Sequence, residues 1–165
     1  MRKISPREIT GSVFDRINRQ WLLLTAEKDG KVNTMTCSWG GLGVIWAVPA
    51  ATVYVRPQRY TLEFLEAADG YTLSFLPEKY RAALNLLGSK SGRGCDKIAQ
   101  SGLTVVKKEG LPSFAEAELV LYCRKLYCQF LTEESFIDRA IADKMYPDRD
   151  FHKMYIGEIT AAFSV

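Results

Sequence analysis

Residues 33–41 read NTMTCSWGG, one amide, three hydroxyls and a tryptophan set between two apolar runs. Before them stand WLLLTAE (21–27) and the turn signal KDGK (28–31). After them comes LGVIWAVPAATVYV (42–55). Short apolar runs joined through Asp-Gly read as a β-hairpin. A connection between two such strands needs only a couple of turn residues, so this polar stretch looks built to hold something. Asn33, Thr34, Thr36 and Ser38 can each donate and accept hydrogen bonds. Met35 and Trp39 add polarisable apolar surface. The mixture suits a planar heteroaromatic ligand with a polar edge, or equally a polar strand edge with Trp39 in the core. Gly40, Gly41 and Gly43 suggest a bend or a close backbone approach.

Outward from this stretch, strands dominate, with short helices between them. ATVYVRP (51–57) alternates and stops at Pro57. TLEFLEAADG (61–70) carries Leu62 and Leu65 at i,i+3, with Thr61 as N-cap and Gly70 past the helix end. YTLSFLP (71–77) is a strand again. EKYRAALNLLGSKSG (78–92) is a second helix with Ala83, Leu84 and Leu87 on one side, and CDKIAQSG (95–102) a helical turn. LTVVKKEG (103–110) is a strand. AEAELVLYCRKLYCQFL (115–131) reads as one long or bent strand, with Cys123 and Cys128 as small core residues. ESFIDRAIADKMYP (134–147) is ambiguous, leaning to strand and loop over helix. FHKMYIGEITAAFSV (151–165) is a final strand anchored by Met154, Ile156 and Ile159. The pattern predicts an α+β, mostly β domain: a β-barrel with short helical crossovers, spanning residues 1–165 as a single unit.

Composition narrows the function. The net charge of +3 (22 Lys and Arg against 19 Asp and Glu) slightly favours anionic small ligands without demanding nucleic acid. With four cysteines, no CxxC pair and a single histidine, a structural zinc site is not expected. The first residues lack an apolar secretory core, and no run is long enough to span a membrane; both point to a cytoplasmic protein with reduced thiols.

Three further stretches carry chemistry. In VRPQRYT (55–61), Arg56 and Arg59 flank a proline-stiffened turn before a helix start, which is a phosphate site or a solvated basic turn. GSKSGRGCDK (88–97) is a glycine-rich loop with Ser89, Lys90, Ser91, Arg93 and Lys97. It is an anion nest or a surface loop, but not a Walker loop. DRDFHKMYIGE (148–158) holds His152, a ligand or base or an ordinary strand-end histidine. No GxGxxG, paired-carboxylate motif or nucleophile elbow is present.

The order of these pieces resembles the flavin reductase-like, FMN-binding split-barrel family, which includes flavoredoxins. It shows N-x-M-T-x-S-W, then RPQRYT, then SGRGCDK, then H-x-x-Y-I-G-E-I, across roughly residues 21–159. The sequence departs from that pattern at Gln58, Gly94 and Phe151. The resemblance implies a split β-barrel, usually a homodimer, with non-covalent FMN. It implies that Asn33, Met35, Thr36, Cys37, Ser38 and Trp39 line the isoalloxazine and ribityl chain. Arg56, Gln58, Arg59, Tyr60 and Thr61 would hold the phosphate region, and Ser89, Lys90, Ser91, Gly92 and Lys97 would close over the cofactor. His152 and Tyr155 would lie on the substrate side. No residue is expected to be catalytic in its own right and no metal is expected, because the flavin carries the chemistry. NADH or NADPH is the implied co-substrate, with an electron-transfer or monooxygenase protein as a possible partner. An NAD(P)H-dependent flavin reductase, a flavoredoxin-type electron carrier and a non-catalytic binding module remain as three readings at this point.

Overall fold

The computed structural model describes residues 1–165. In chain order the strands and helices are β1 (Arg2–Ile4), β2 (Leu22–Lys28), β3 (Lys31–Cys37), β4 (Gly40–Ile45), β5 (Val48–Val55), α1 (Thr61–Ala67), β6 (Gly70–Phe75), α2 (Arg81–Ser89), α3 (Lys97–Ser101), β7 (Val105–Lys108), β8 (Leu111–Phe114), β9 (Leu119–Phe130), α4 (Arg139–Met145) and β10 (Lys153–Ser164). One antiparallel sheet runs β3-β2-β6-β9-β10-β5-β4, with β1 also on β10; β7 and β8 form a separate hairpin. The KDGK turn is a two-residue hairpin pairing Lys28 with Lys31. Asp29 and Gly30 sit there at φ 51° and 75°, the positive values such a turn requires.

The two edges of this sheet are consecutive in the chain. Only Ser38 and Trp39 separate the end of β3 from the start of β4, yet the two strands do not pair. The sheet therefore curls until its edges meet, which makes a barrel with one open seam. Gly40 starts β4 at φ 155°, where a Cβ would stand 2.6 Å from Thr52 O, so the close approach expected at the glycine cluster falls on this residue. Gly41 and Gly43 have open space around them.

Alternate residues of each strand fill the barrel. Leu22, Leu24, Met35, Cys37, Val53, Val55, Tyr71, Leu73, Leu121, Cys123 and Tyr155 belong to one buried cluster. A second cluster lies outside the wall, where Leu23 meets Ala83, Leu84 and Leu87 of α2, with Leu103 and Phe114. β2 is thus covered on both faces, and that is why its sequence runs apolar without alternating.

Four expectations change. Residues 139–145 form α4, capped by Asp138, whose side chain accepts from Ala140 N–H. Thr61 does not cap α1; its hydroxyl accepts from Asn33 Nδ2 at 2.9 Å, and Tyr60 stands at the cap position. Gly70 opens β6 rather than closing α1. Cys128 is exposed, since the outer half of β9 beyond Cys123 leaves the core, while Cys123 itself is fully buried.

Candidate functional site

A groove opens beside the seam, between β3, the Ser38–Trp39 link and the end of β5. Its first lobe, about 200 Å³, is lined by Met35, Thr36, Cys37, Ser38, Trp39, Tyr54, Arg56, Arg59, Met145 and His152. A second lobe, about 220 Å³, shares Met35, Arg56 and Arg59 with the first and adds Gln58, Tyr60, Thr61, Ser89, Lys90, Ser91 and Lys97. Each lobe alone is smaller than the roughly 300–1,000 Å³ of common ligand sites, and joined they fall within that range.

The second lobe is cationic. No carboxylate lines it. Lys97 opens α3 and is only 4% exposed. Its ammonium donates to Leu87 O at 2.8 Å and Lys90 O at 3.0 Å, and Arg59 Nη1 donates to Gly88 O at 2.6 Å. Both cations therefore sit on the carbonyl end of α2, where positive charge is favourable. Those carbonyls do not offset the burial: desolvation, helped by the Arg59 charge, lowers the Lys97 pKa to about 8. One of the three ammonium donors is left over. Thr36 Oγ1 donates to Leu84 O at 2.6 Å and fixes α2 against β3.

The first lobe is more apolar and aromatic. Trp39 is 41% exposed and its ring lies 5.1 Å from that of His152. Tyr54 meets the same imidazole edge-on. His152 Nδ1 lies 2.8 Å from Tyr146 Oη. Burial, then the Arg56 charge, presses the His152 pKa down to about 4, so the ring is neutral at pH 7. Burial pushes the Cys37 thiol up to about 12, which makes it a packing residue and not a nucleophile. Arg56 is held from two sides: Nη1 reaches Asp150 Oδ2 at 2.5 Å and Nη2 donates to Met145 O at 2.8 Å. Gln58 Nε2 also donates to Asp150 Oδ2, at 2.8 Å. That bond, with the Arg56 contact, holds the Asp150 carboxyl below its ordinary range.

Most residues singled out from the sequence converge on this groove, and five do not: Thr34 is buried against Thr25, Arg93 pairs with Glu63, and Asn33, Gly92 and Tyr155 also lie elsewhere. Asn33 is buried against Thr61 and, with Gly92, lines a neighbouring cavity of about 530 Å³ behind the 90–96 loop. Tyr155 points into the barrel core, where its hydroxyl donates to Glu66 at 2.5 Å. Tyr54, Met145, Tyr146 and Asp150 belong to the site but were not anticipated. Tyr54 read as an alternating strand residue, and the other three come from the segment around α4, whose helix the apolar pattern does not reveal. An apolar cavity of about 760 Å³ lies on the far side of Trp39, lined by Phe14, Ile17, Leu42 and Tyr146 among others.

A family model described as "Flavin reductase like domain" matches residues 14–163. No curated protein matches the sequence. Among solved structures, an FMN-binding domain of a flavin reductases-like enzyme from Shewanella baltica superposes with a TM-score of 0.72 at 17% identity, covering 99% of this chain and 76% of that one. Flavoredoxin from Methanosarcina acetivorans superposes with a TM-score of 0.69 at 25% identity, covering 88% and 68%. The styrene monooxygenase flavin reductase from Pseudomonas putida gives 0.65 at 16% identity, covering 88% and 79%. The split-barrel fold expected from the sequence is the fold these chains share.

Proposed function

The chain belongs to the flavin reductase-like domain family, and we propose that it holds FMN in the seam groove and acts as a flavoprotein oxidoreductase reduced by NADH or NADPH. The observation that carries this reading is the second lobe: a buried lysine with a depressed pKa beside Arg59, with serine hydroxyls around it and no carboxylate on the wall. Such a lobe is incomplete without an anion, and a phosphate monoester fits its charge and donors. The first lobe fits the other end of the same ligand. It offers the hydroxyls of Thr36 and Ser38 and flat apolar surface from Met35 and Trp39 to a planar ring.

Bound FMN supplies the hydride and electron transfer that no side chain here can perform. The protein's part is positioning and electrostatics. Arg59, Lys97, Ser89 and Ser91 hold the phosphate, while Arg56, fixed by Asp150, places positive charge between the two lobes. Trp39, Tyr54 and Tyr146 keep water from the ring lobe. Nothing in this arrangement calls for a metal or a side-chain nucleophile. The likeness to a flavoredoxin favours a second reading, an electron carrier that passes electrons to a partner protein.

We also infer a homodimer. β4 is an unpaired edge, and Val44, Ile45 and Trp46 at its tip, with Tyr127 and Phe130 of β9, are exposed.

The test is a visible spectrum of the protein after incubation with FMN and gel filtration. Flavin bands co-eluting near one per chain are expected. Fast anaerobic bleaching by NADH or NADPH alone indicates the reductase, and slow bleaching indicates the carrier. A colourless protein that instead binds polyanions with steep salt dependence would mark a binding module.

A further inference from the structure

We propose that Tyr146 fixes the tautomer of His152, so that Nε2–H faces the ring lobe as a donor for a carbonyl oxygen of the bound ligand. The ligand class rests on the flavin reading above; the tautomer does not.

A phenol has one hydrogen to donate, and a neutral imidazole has one N–H and one acceptor nitrogen. Tyr146 Oη is within hydrogen-bond distance of His152 Nδ1, at 2.8 Å, and of no other group. If Nδ1 carried the proton, Tyr146 would have to accept it, and the phenol hydrogen would have no acceptor. Tyr146 is 3% exposed, and a buried donor left unpaired is unfavourable. If Tyr146 donates, both groups are satisfied, Nδ1 is the acceptor and the proton resides on Nε2.

The surroundings hold this arrangement still. The Tyr146 ring packs on Phe151 at 4.8 Å and on Phe136 at 5.9 Å, and the Arg56 guanidinium lies 5.2 Å from its centroid. The imidazole is held between Trp39 and Tyr54, and His152 O accepts from Leu131 N–H. Burial raises the Tyr146 pKa, which keeps the phenol protonated. Arg56 and Arg59 disfavour a second proton on His152 and outweigh Asp150, which favours one.

Nε2 has no hydrogen-bond partner in the protein. The only side-chain polar atoms that are both sealed from solvent and unpartnered are Ser74 Oγ and Asp150 Oδ1, so Nε2 opens onto free space. The free space at His152 is the ring lobe, beside Thr36, Ser38 and Trp39. An N–H there matches an amide-type carbonyl, which both a flavin ring and a nicotinamide carboxamide possess. Tyr146 is on this account a positioning residue acting through His152.

His152 is the sole histidine of the chain, so a long-range ¹H–¹⁵N spectrum of the ¹⁵N-labelled full-length protein reports it without overlap. At pH 7 without FMN, the wild type is expected to show the Nε2–H tautomer, and Tyr146→Phe a shift toward a mixture. A wild-type Nδ1–H tautomer would overturn the proposal, and that measurement needs no variant to fold. An Nε2 shift on adding FMN alone assigns the acceptor to the flavin, and a shift only on further adding NAD⁺ assigns it to the nicotinamide. No shift with either, while the visible spectrum shows FMN bound, rejects the donor role. Failure of FMN to bind would count against the flavin reading, with the tautomer already decided by the apo spectrum.

Discussion

Lys97 shows how one side chain links the fold to the ligand. It sits under the C-terminal end of α2 and donates to Leu87 O and to Lys90 O just past the helix, yet its pKa is lowered to about 8 by burial and by Arg59. An anion in the adjoining lobe favours the charged form, so binding and protonation are linked. Below pH 8 the ammonium is already present in the free protein. Above it the proton must be taken up on binding, so affinity falls as pH rises. FMN affinity measured by flavin fluorescence should therefore decline above about pH 8, and Lys97→Met should flatten that decline. Arg59→Ala, which keeps Lys97, should weaken binding by about 1.5–3 kcal/mol, the usual worth of a charged hydrogen bond. Affinity indifferent to both substitutions would move the phosphate elsewhere. The placing of these two residues in one lobe follows the sequence reading, which found Lys97 in a run of cations, serines and glycines and Arg59 at a proline-stiffened basic turn. The contacts of Asn33 and Tyr155 were not legible, because their partners, Thr61 and Glu66, lie 28 and 89 residues away.

At the level of elements, the loop between α2 and α3 is pressed onto β3. A Cβ on Gly92 would stand 2.4 Å from Asn33 Oδ1, and Arg93 of the same loop pairs with Glu63 of α1 at 2.6 Å. Gly92→Val should lift this loop from the second lobe, weakening FMN binding several-fold while the melting temperature moves little. A large fall in melting temperature instead would make the contact a fold determinant. The helices that border the groove were readable where their apolar residues face the wall, as Ala83, Leu84 and Leu87 do in α2. α4 gives no such signal. Only Ala142 of its residues is buried, and Ile141 and the preceding Ile137 are exposed, so the stretch has no apolar stripe to read. The cost of missing α4 was Met145 and Tyr146, one wall of the site.

For the whole molecule, the longer strands and the barrel class followed from alternation and turns, since the hairpins are local, while β1 and β8, of three and four residues, were too short to show a pattern. The closing of the barrel did not, because it depends on which strands become edges, and that is set by the pairing of β10 with both β5 and β9. The exposed β4 tip is the feature most at odds with an isolated chain. Its turn residues Trp46 and Ala47 sit at φ 51° and 62° without being glycine. The proposed homodimer predicts a two-chain mass in sedimentation at micromolar concentration, and Trp46→Lys should shift it toward one chain. A wild-type monomer with FMN saturated would remove the dimer.

The gap between β3 and β4 has a mechanical side as well. A barrel missing one row of rungs is a slit tube, which twists far more easily than a closed one. Whatever bridges the slit acts as a strut and stiffens both lips together. Amide exchange should therefore slow in β3 and at the end of β5 at once when FMN binds, with little change in β6 or β9 on the opposite wall. Slowing spread evenly over the barrel would mean that the ligand tightens the whole shell and not its slit.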